Sequence, residues 1–145
     1  MNLRIASLIA VGIAIAGAMY LVFNDYLFSN NPITIIIQIF SGALMIWARI
    51  TFGRRSFHAA ANTSKGRLIT NGPYRWLRHP IYASLIYFFC ACIISYPFVD
   101  SIIAVAFICL ALFVRMFIEE KYLTAAYTDY QAYSKRSKRM IPFVF

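Results

Sequence analysis

From Leu3 to Phe23 the chain runs without a charge beyond Arg4 at its edge, and three further apolar stretches follow. A helix needs about 20 apolar residues to cross a bilayer core, with 17 to 25 the usual range. The second stretch runs from Ile33 to Ile50, interrupted by Gln38 and closed by Arg49. The third starts at Pro80-Ile81 and continues to Tyr96. The fourth covers Ser101 to Ile118, with Arg115 one turn before its end. Asn24-Asp25 with Ser29-Asn30-Asn31-Pro32, and Pro97 with Asp100, supply turn chemistry between them. The expected fold class is therefore all-α: a polytopic integral membrane protein with about four transmembrane helices, a cytoplasmic loop and a C-terminal amphipathic helix.

Composition excludes the main alternatives. Of the 145 residues 61% are apolar and 13% charged, whereas a soluble domain carries roughly 25% charged residues. Disorder requires low hydrophobicity and is excluded as well. A small-residue run at Ala16-Gly17-Ala18 resembles a signal-peptide cleavage site, but the apolar run around it is longer than the roughly 7 to 15 residues of such segments. The chain is expected to form a single membrane domain. Residues 1–50 hold two N-terminal spans, 51–79 a loop, 80–118 a helical hairpin and 119–145 a C-terminal helix and tail.

The net charge of +9 is read as membrane-associated rather than as a nucleic-acid footprint, because the basic residues flank apolar spans. Arg49, Arg54, Arg55, Lys65, Arg67, Arg75 and Arg78 lie between spans two and three, and Lys121, Lys135, Arg136, Lys138 and Arg139 follow span four. The other two connections hold Asp25 and Asp100 and no Lys or Arg. The positive-inside rule then puts both termini and the long loop in the cytoplasm. Cys90, Cys92 and Cys109 fall inside spans and read as reduced packing residues. Neither they nor His58 and His79 show metal-ligand spacing, so no metal is expected. Gly-x-Gly-x-x-Gly, Walker and Gly-x-Ser-x-Gly motifs are absent.

Two constellations carry candidate chemistry. The first closes the long loop: Gly72-Pro73-Tyr74-Arg75-Trp76-Leu77-Arg78-His79-Pro80-Ile81-Tyr82. Gly72-Pro73 sets a turn, and Pro80 suits the first position of a helix. His79 then sits near an N-terminus whose free N–H groups favour a carboxylate or phosphate. Arg75 and Trp76 read as interface anchors, while His79 and Tyr82 read as functional. The second constellation is Arg115 with Glu119 and Glu120. Arg115 and Glu119, four apart, share a helix face at the membrane edge, where ionisable groups are functional candidates. Beyond them Leu123, Tyr127, Tyr130 and Tyr133 recur at near-helical spacing, as packing residues of an amphipathic cytoplasmic helix. Lys135 to Arg139 reads as a solvated or lipid-contacting patch. Small residues at Ala10, Ala14, Gly17 and Ala18 suit helix packing, within one chain or between two.

Leu68-Ile69-Thr70-Asn71-Gly72-Pro73-Tyr74, Arg78-His79-Pro80-Ile81-Tyr82, Arg115-x-x-x-Glu119-Glu120-x-x-Leu123 and Arg139-x-Ile141-Pro142 together resemble the isoprenylcysteine carboxyl methyltransferase and phospholipid methyltransferase superfamily. The resemblance runs from about Arg49 onward. It departs in the tail, where Tyr127-Thr128-Asp129-Tyr130 is one residue shorter than the family pattern and lacks its Gly. It implies a polytopic, all-helical enzyme that uses S-adenosyl-L-methionine without a Rossmann domain. By that resemblance Leu68, Ile69, Tyr74, His79, Pro80, Ile81, Tyr82 and Glu119 would line the cofactor pocket. Arg115 would face a lipid or prenylated substrate, with Arg115, Glu119 and Glu120 as the catalytic set. The acceptor stays open. Arg115 paired with a carboxylate favours O-methylation of a prenylcysteine-like group, whereas a Glu taking a proton from an amine favours N-methylation of a phospholipid headgroup. A nicotinamide-dependent sterol-type reductase and a non-catalytic lipid-binding protein are the remaining alternatives.

Overall fold

The computed structural model describes residues 2–53 and 68–141. Arg54, Arg55, His58, Lys65, Arg67 and Pro142 lie outside the described residues. Among the described residues the regular elements are all helices: α1 (Leu3–Phe23), α2 (Pro32–Phe52), a 3-10 turn (Gly72–Arg75), α3 (Pro80–Ser95), α4 (Val99–Ala126) and α5 (Tyr130–Arg136). Helices α1, α2 and α4 are each long and apolar enough to cross a membrane. Helix α3, with 16 residues, spans about 24 Å, short of the roughly 30 Å hydrocarbon core.

Local signals place the boundaries. The Asn2 side chain caps α1 by accepting from Arg4 N–H at 3.2 Å, and Asn31 caps α2 through Ile33 N–H at 2.9 Å ahead of Pro32. Helix α1 ends in a Schellman motif. Asp25 takes a left-handed φ of 58°, Asp25 N–H donates to the Val22 carbonyl at 3.1 Å, and Tyr26 N–H reaches the Leu21 carbonyl at 2.8 Å. Two boundaries differ from those expected. Helix α4 does not stop at Ile118 but continues through the acidic pair to Ala126, since nothing between carries a helix-breaking Gly or Pro. At 28 residues it is about 42 Å long. Its apolar, membrane-spanning part ends near Ile118, and the last two turns protrude. The single amphipathic helix expected after the acids is instead split. Leu123 belongs to α4, the chain turns at Tyr127-Thr128-Asp129, and α5 carries Tyr130 and Tyr133 inward, both buried.

The helices pack as a row. Helix α1 lies along α4, α4 against α3 and α3 along α2, and the 3-10 turn sits on α2. Apart from Leu21 at the end of α1, which joins the core, the buried residues of the outer helices are small or polar: Ser7 and Ala10 of α1, Thr34, Gln38, Ser41 and Ala48 of α2. Their outward faces carry Ile, Leu and Phe, with Ile36, Ile39, Phe40 and Ile50 all more than half exposed. Water would not tolerate so much contiguous apolar surface. A bilayer does, and it leaves close packing and hydrogen bonds to hold helices together. Gly17 shows the close approach: a Cβ there would stand 2.6 Å from Ile108 Cγ1. The small-residue stripe of α1 therefore packs within the chain, onto Val105, Ile108 and Leu112 of α4, which are buried.

At the hairpin end, polar side chains satisfy one another. Thr34 and Ser95 hydroxyls meet at 2.7 Å, and Ser29 joins both. Gln38 Nε2 donates to the Leu27 carbonyl at 2.8 Å while its Oε1 accepts from Ser29 N–H at 3.2 Å. Gln38, which interrupts the second apolar stretch, is thereby fully engaged. The ring of Tyr26 stacks on Tyr96 at 5.3 Å, and the Tyr96 hydroxyl donates to the Phe28 carbonyl. The α1–α2 connection is thus fastened across the α3–α4 turn. The glutamates, most of the described arginines and His79 lie at the other end.

Candidate active site

The segment leading into α3 is shaped by Gly72 and Pro73. Gly72 adopts φ +56°, and a Cβ at this position would lie 2.7 Å from Thr51 Oγ1, so only glycine lets the loop press against the end of α2. Tyr74 follows, buried, its ring 5.5 Å from that of Phe52. Trp76 is exposed, beside Trp47 at 6.2 Å and under the Arg75 guanidinium at 5.9 Å. Leu68 and Ile69 are half-buried at the start of the segment.

From Trp76 to His79 the backbone pairs with the C-terminal segment. Lys138 N–H donates to the Trp76 carbonyl at 2.9 Å, Arg78 N–H to the Lys138 carbonyl at 2.6 Å and His79 N–H to the Arg139 carbonyl at 3.0 Å. Met140 then enters the core, and the Tyr87 hydroxyl donates to its carbonyl. The run from Lys135 to Arg139 is consequently not a wholly solvated patch. Lys135, Arg136 and Lys138 are exposed, but Arg139 turns inward to pair with a partly buried carboxylate.

That carboxylate is Glu120. Its Oε1 accepts from Arg78 Nε at 3.1 Å and its Oε2 from Arg139 Nε at 3.1 Å. His79 Nε2 stands 3.4 Å from Oε1, close enough to interact electrostatically but outside hydrogen-bond geometry. Burial works to raise the Glu120 carboxyl; His79, Arg78 and Arg139 outweigh it and hold the group at about 2. The Arg78 guanidinium continues past Glu120, donating through one terminal nitrogen to the carbonyls of Ser134 at 2.6 Å and Ser137 at 2.8 Å. It thereby satisfies orphan carbonyls at the end of α5, where a cation also complements the helix dipole.

Glu119 has different company. Its Oε2 accepts from the Tyr82 hydroxyl at 2.7 Å, and that hydroxyl in turn accepts from Arg115 Nε at 2.8 Å. Tyr82 thus stands between the acid and the base that sequence spacing pairs. Arg115 also donates to Ser7 Oγ of α1 at 3.3 Å, so three helices meet in one chain of hydrogen bonds. The Tyr82 ring lies 5.6 Å from that of His79, which links this chain to the Glu120 cluster. Burial, and then the Glu119 carboxylate, push the Tyr74 phenol up, so Tyr74 lies within the field of the same acid. Pro80 is buried at the first position of α3, and Ile81 is half-buried beside it.

Tyr74, His79, Pro80, Ile81, Tyr82, Arg115, Glu119 and Glu120 are therefore gathered at one end of α3 and α4. Leu68 and Ile69 sit at the entrance of the same segment. Sequence reasoning missed four participants. Arg78 was part of a motif without a task, and Arg139 was absorbed in a basic run. Ser7 is a lone hydroxyl in an apolar helix and gave no signal. Tyr133, read as packing, donates its hydroxyl to the Tyr74 carbonyl at 2.7 Å, and burial pushes its phenol up to about 12.

Among the described residues the fold is all-helical, with paired acids and basic groups gathered at one end of a helical hairpin and three helices long and apolar enough to cross a membrane, the architecture of a polytopic membrane protein. The isoprenylcysteine carboxyl methyltransferase (ICMT) family matches residues 34–125, and the chain belongs to that family of membrane methyltransferases. No curated protein and no solved structure matches the chain. Helix α1, which contributes Ser7, lies outside the matched residues.

Proposed function

We propose that the chain is an S-adenosyl-L-methionine-dependent methyltransferase that esterifies a lipid-borne carboxylate of the prenylcysteine type, with its site and both termini on the cytoplasmic side. The observation that carries this reading is the chain of hydrogen bonds from Ser7 through Arg115 and Tyr82 to Glu119, placed beside the His79–Glu120 cluster. The donor set fits the cofactor. Glu119 offers a carboxylate to a cationic ammonium or sulfonium, His79 Nε2 is a buried polar atom without a hydrogen-bond partner, and Tyr74 and Tyr82 offer aromatic faces. Leu68, Ile69, Pro80 and Ile81 would add apolar contacts to the bound cofactor. When bound there, S-adenosyl-L-methionine supplies a methyl group already activated on sulfur, which passes to an acceptor oxygen as the carbon–sulfur bond breaks and sulfur keeps the electron pair.

The protein's task is then alignment and exclusion of water. Arg115 presents a guanidinium suited to a carboxylate, and Tyr82 and Ser7 fix its direction. A carboxylate acceptor loses no proton, so no general base is needed. Glu120, saturated by Arg78 and Arg139, is assigned a positioning role and holds the C-terminal segment against His79.

Calorimetry with S-adenosylhomocysteine in detergent tests cofactor binding; absence of heat at millimolar ligand overturns the reading. Labelled methyl donor incubated with lipid extracts, followed by mass spectrometry, then names the acceptor. Label in a base-labile ester supports the carboxylate, and label in a headgroup amine assigns N-methylation instead. Glu119→Ala should abolish transfer in a protein that remains folded. A chain that takes NADPH in place of S-adenosylhomocysteine would be a reductase.

A further inference from the structure

Each of the five acids of the chain has a place. Asp25 and Asp100 lie at the hairpin end, and Glu119 and Glu120 are engaged at the candidate site. Asp129, at the start of α5, is left to balance the outer surface of the opposite end. Against it stand Arg75, Lys121, Lys135, Arg136 and Lys138, all exposed. Arg75, Arg136 and Lys138 pair with no carboxylate among the described residues, and two tethers bring them together from segments far apart in the chain. The Tyr133 hydroxyl donates to the Tyr74 carbonyl at 2.7 Å, and Lys138 N–H donates to the Trp76 carbonyl at 2.9 Å. Arg75 is the residue between the two tethered carbonyls. The Arg136 guanidinium lies over the Tyr133 ring at 5.9 Å, so it flanks the first tether as Lys138 flanks the second.

Uncompensated basic charge alone would suit any acidic partner. The tryptophans beside it narrow the choice. Trp76, 44% exposed, lies under the Arg75 guanidinium at 5.9 Å and beside the ring of Trp47, 46% exposed, at 6.2 Å. Trp47 belongs to the last two turns of α2, where Ile46 and Ile50 next to it are more exposed still. The indole pair therefore sits on the outward, apolar surface of a helix long enough to span the membrane. Indole rings favour the headgroup level of a bilayer, which puts the three cations at the height of the lipid phosphates. We propose that Arg75, Arg136 and Lys138 form a binding site for the headgroup of an anionic phospholipid, with Trp47 and Trp76 against the upper part of its acyl chains. A phosphate held there joins the loop to the C-terminal segment from outside, as Glu120 with Arg78 and Arg139 joins them within. The site is independent of the cofactor reading, since none of its three cations contacts Glu119 or Glu120.

Trp47 and Trp76 are the two tryptophans of the chain, so intrinsic fluorescence reports on this place. The full chain is reconstituted in vesicles of phosphatidylcholine and phosphatidylglycerol in equal parts, with one lipid or the other brominated near the top of its acyl chains. Comparison of the quenching gives the relative affinity for the two headgroups. The wild type should favour phosphatidylglycerol roughly 5- to 30-fold, the equivalent of one or two basic side chains at an anionic surface. Salt at about 1 M, where the screening length is roughly 3 Å, should remove most of the preference. Arg75→Gln/Lys138→Gln should bring the two lipids close to equality, and Arg75→Lys/Lys138→Arg should keep the preference. Arg4→Gln removes an exposed charge from α1, at the opposite end of the helix row from α2, and should change nothing. Equal quenching by the two lipids in the wild type overturns the inference and leaves the basic face to an acidic soluble partner. A preference that survives in the double glutamine variant or in high salt overturns it too. So does a loss as large in Arg4→Gln, because diffuse charge rather than this cluster would then gather the lipid.

Discussion

Tyr82→Phe removes one oxygen and keeps the ring. That oxygen accepts from Arg115 at 2.8 Å and donates to Glu119 at 2.7 Å, and its residue is 8% exposed. Hydrogen bonds to charged partners contribute about 1.5–3 kcal/mol each, so a rigid site would lose roughly 3–6 kcal/mol. The site is not bound to stay rigid. Arg115 and Glu119 are four residues apart on α4, and without the intervening hydroxyl they can close into a direct ion pair. Such i,i+4 pairs recover about 0.2–0.5 kcal/mol in exposed helices and more where water is scarce. With about 1 kcal/mol recovered, the net cost to stability should be about 2–5 kcal/mol. Collapse also draws the guanidinium away from the acceptor. KM for the acceptor should rise roughly 10- to 100-fold, equivalent to about 1.4–2.8 kcal/mol. Thermal melts in detergent and steady-state kinetics on Tyr82→Phe, Arg115→Ala and the double variant measure both effects, because a double-mutant cycle isolates the coupling. A coupling near zero in KM, or a Tyr82→Phe enzyme with the wild-type KM, refutes the role given to this hydroxyl.

Three further outcomes follow from the same geometry. Ser7→Ala should raise KM for the acceptor several-fold without changing S-adenosylhomocysteine affinity, and Ser7→Thr, which keeps the hydroxyl, should restore it; calorimetry beside kinetics reads the split. Gly17→Ala places a methyl 2.6 Å from Ile108 Cγ1 and should cost about 1–3 kcal/mol by overpacking. Most of that loss should be recovered in Gly17→Ala/Ile108→Val, as seen in detergent melts. The Glu120 carboxyl lies below its usual value of 4.5, at about 2. Its stabilisation is therefore fully present above pH ~4.5 and is lost as pH falls toward about 2, because the unfolded chain binds the proton first. After allowance for solvent screening the loss should be on the order of 1–2 kcal/mol, and the pH dependence of stability over this range should flatten in Glu120→Gln.

What the sequence disclosed depended on how local each signal was. Helix α1 begins and ends where its apolar stretch does, and α3 starts at the proline expected to start it, because caps and prolines act within a few residues of themselves. The extension of α4 past Ile118 was hidden because the apolar pattern reports the reach of the lipid, whereas the helix stops only where its backbone is broken. Similarly, the spacing of Arg115 and Glu119 correctly put both on one face of α4. It was silent on Tyr82, which comes from α3, 33 residues before Arg115 in the chain. Arg139 looked like one basic residue among several, since its distinction from exposed Lys138 lies in the alternation of an extended segment paired with Trp76 to His79. Ser7 was beyond any pattern. A single hydroxyl in a membrane helix acquires meaning only when the facing helix supplies a guanidinium.

The two adjacent glutamates illustrate how identical groups come to different tasks. Neighbours on a helix point about 100° apart, so Glu119 and Glu120 face different partners at the same depth. Glu120 turns to the C-terminal segment and meets two guanidiniums and an imidazole. A carboxylate so compensated has little attraction left for an incoming cation, yet removing it would leave Arg78 and Arg139 facing each other without a counter-charge. Glu119 turns to α3 and, among the described residues, accepts a hydrogen bond from a neutral hydroxyl, so its charge lacks the paired guanidiniums of Glu120 and suits the cation-binding role proposed for it. Glu120→Gln should therefore lower stability and loosen the C-terminal segment, seen as faster amide exchange at His79 and Lys138, whose N–H groups pair across it. Glu119→Gln should instead leave exchange at those amides unchanged and weaken S-adenosylhomocysteine by at least tenfold. A Glu119→Gln protein that binds normally, or a Glu120→Gln protein with unaltered exchange, would show that the neighbouring acids are not divided in this way.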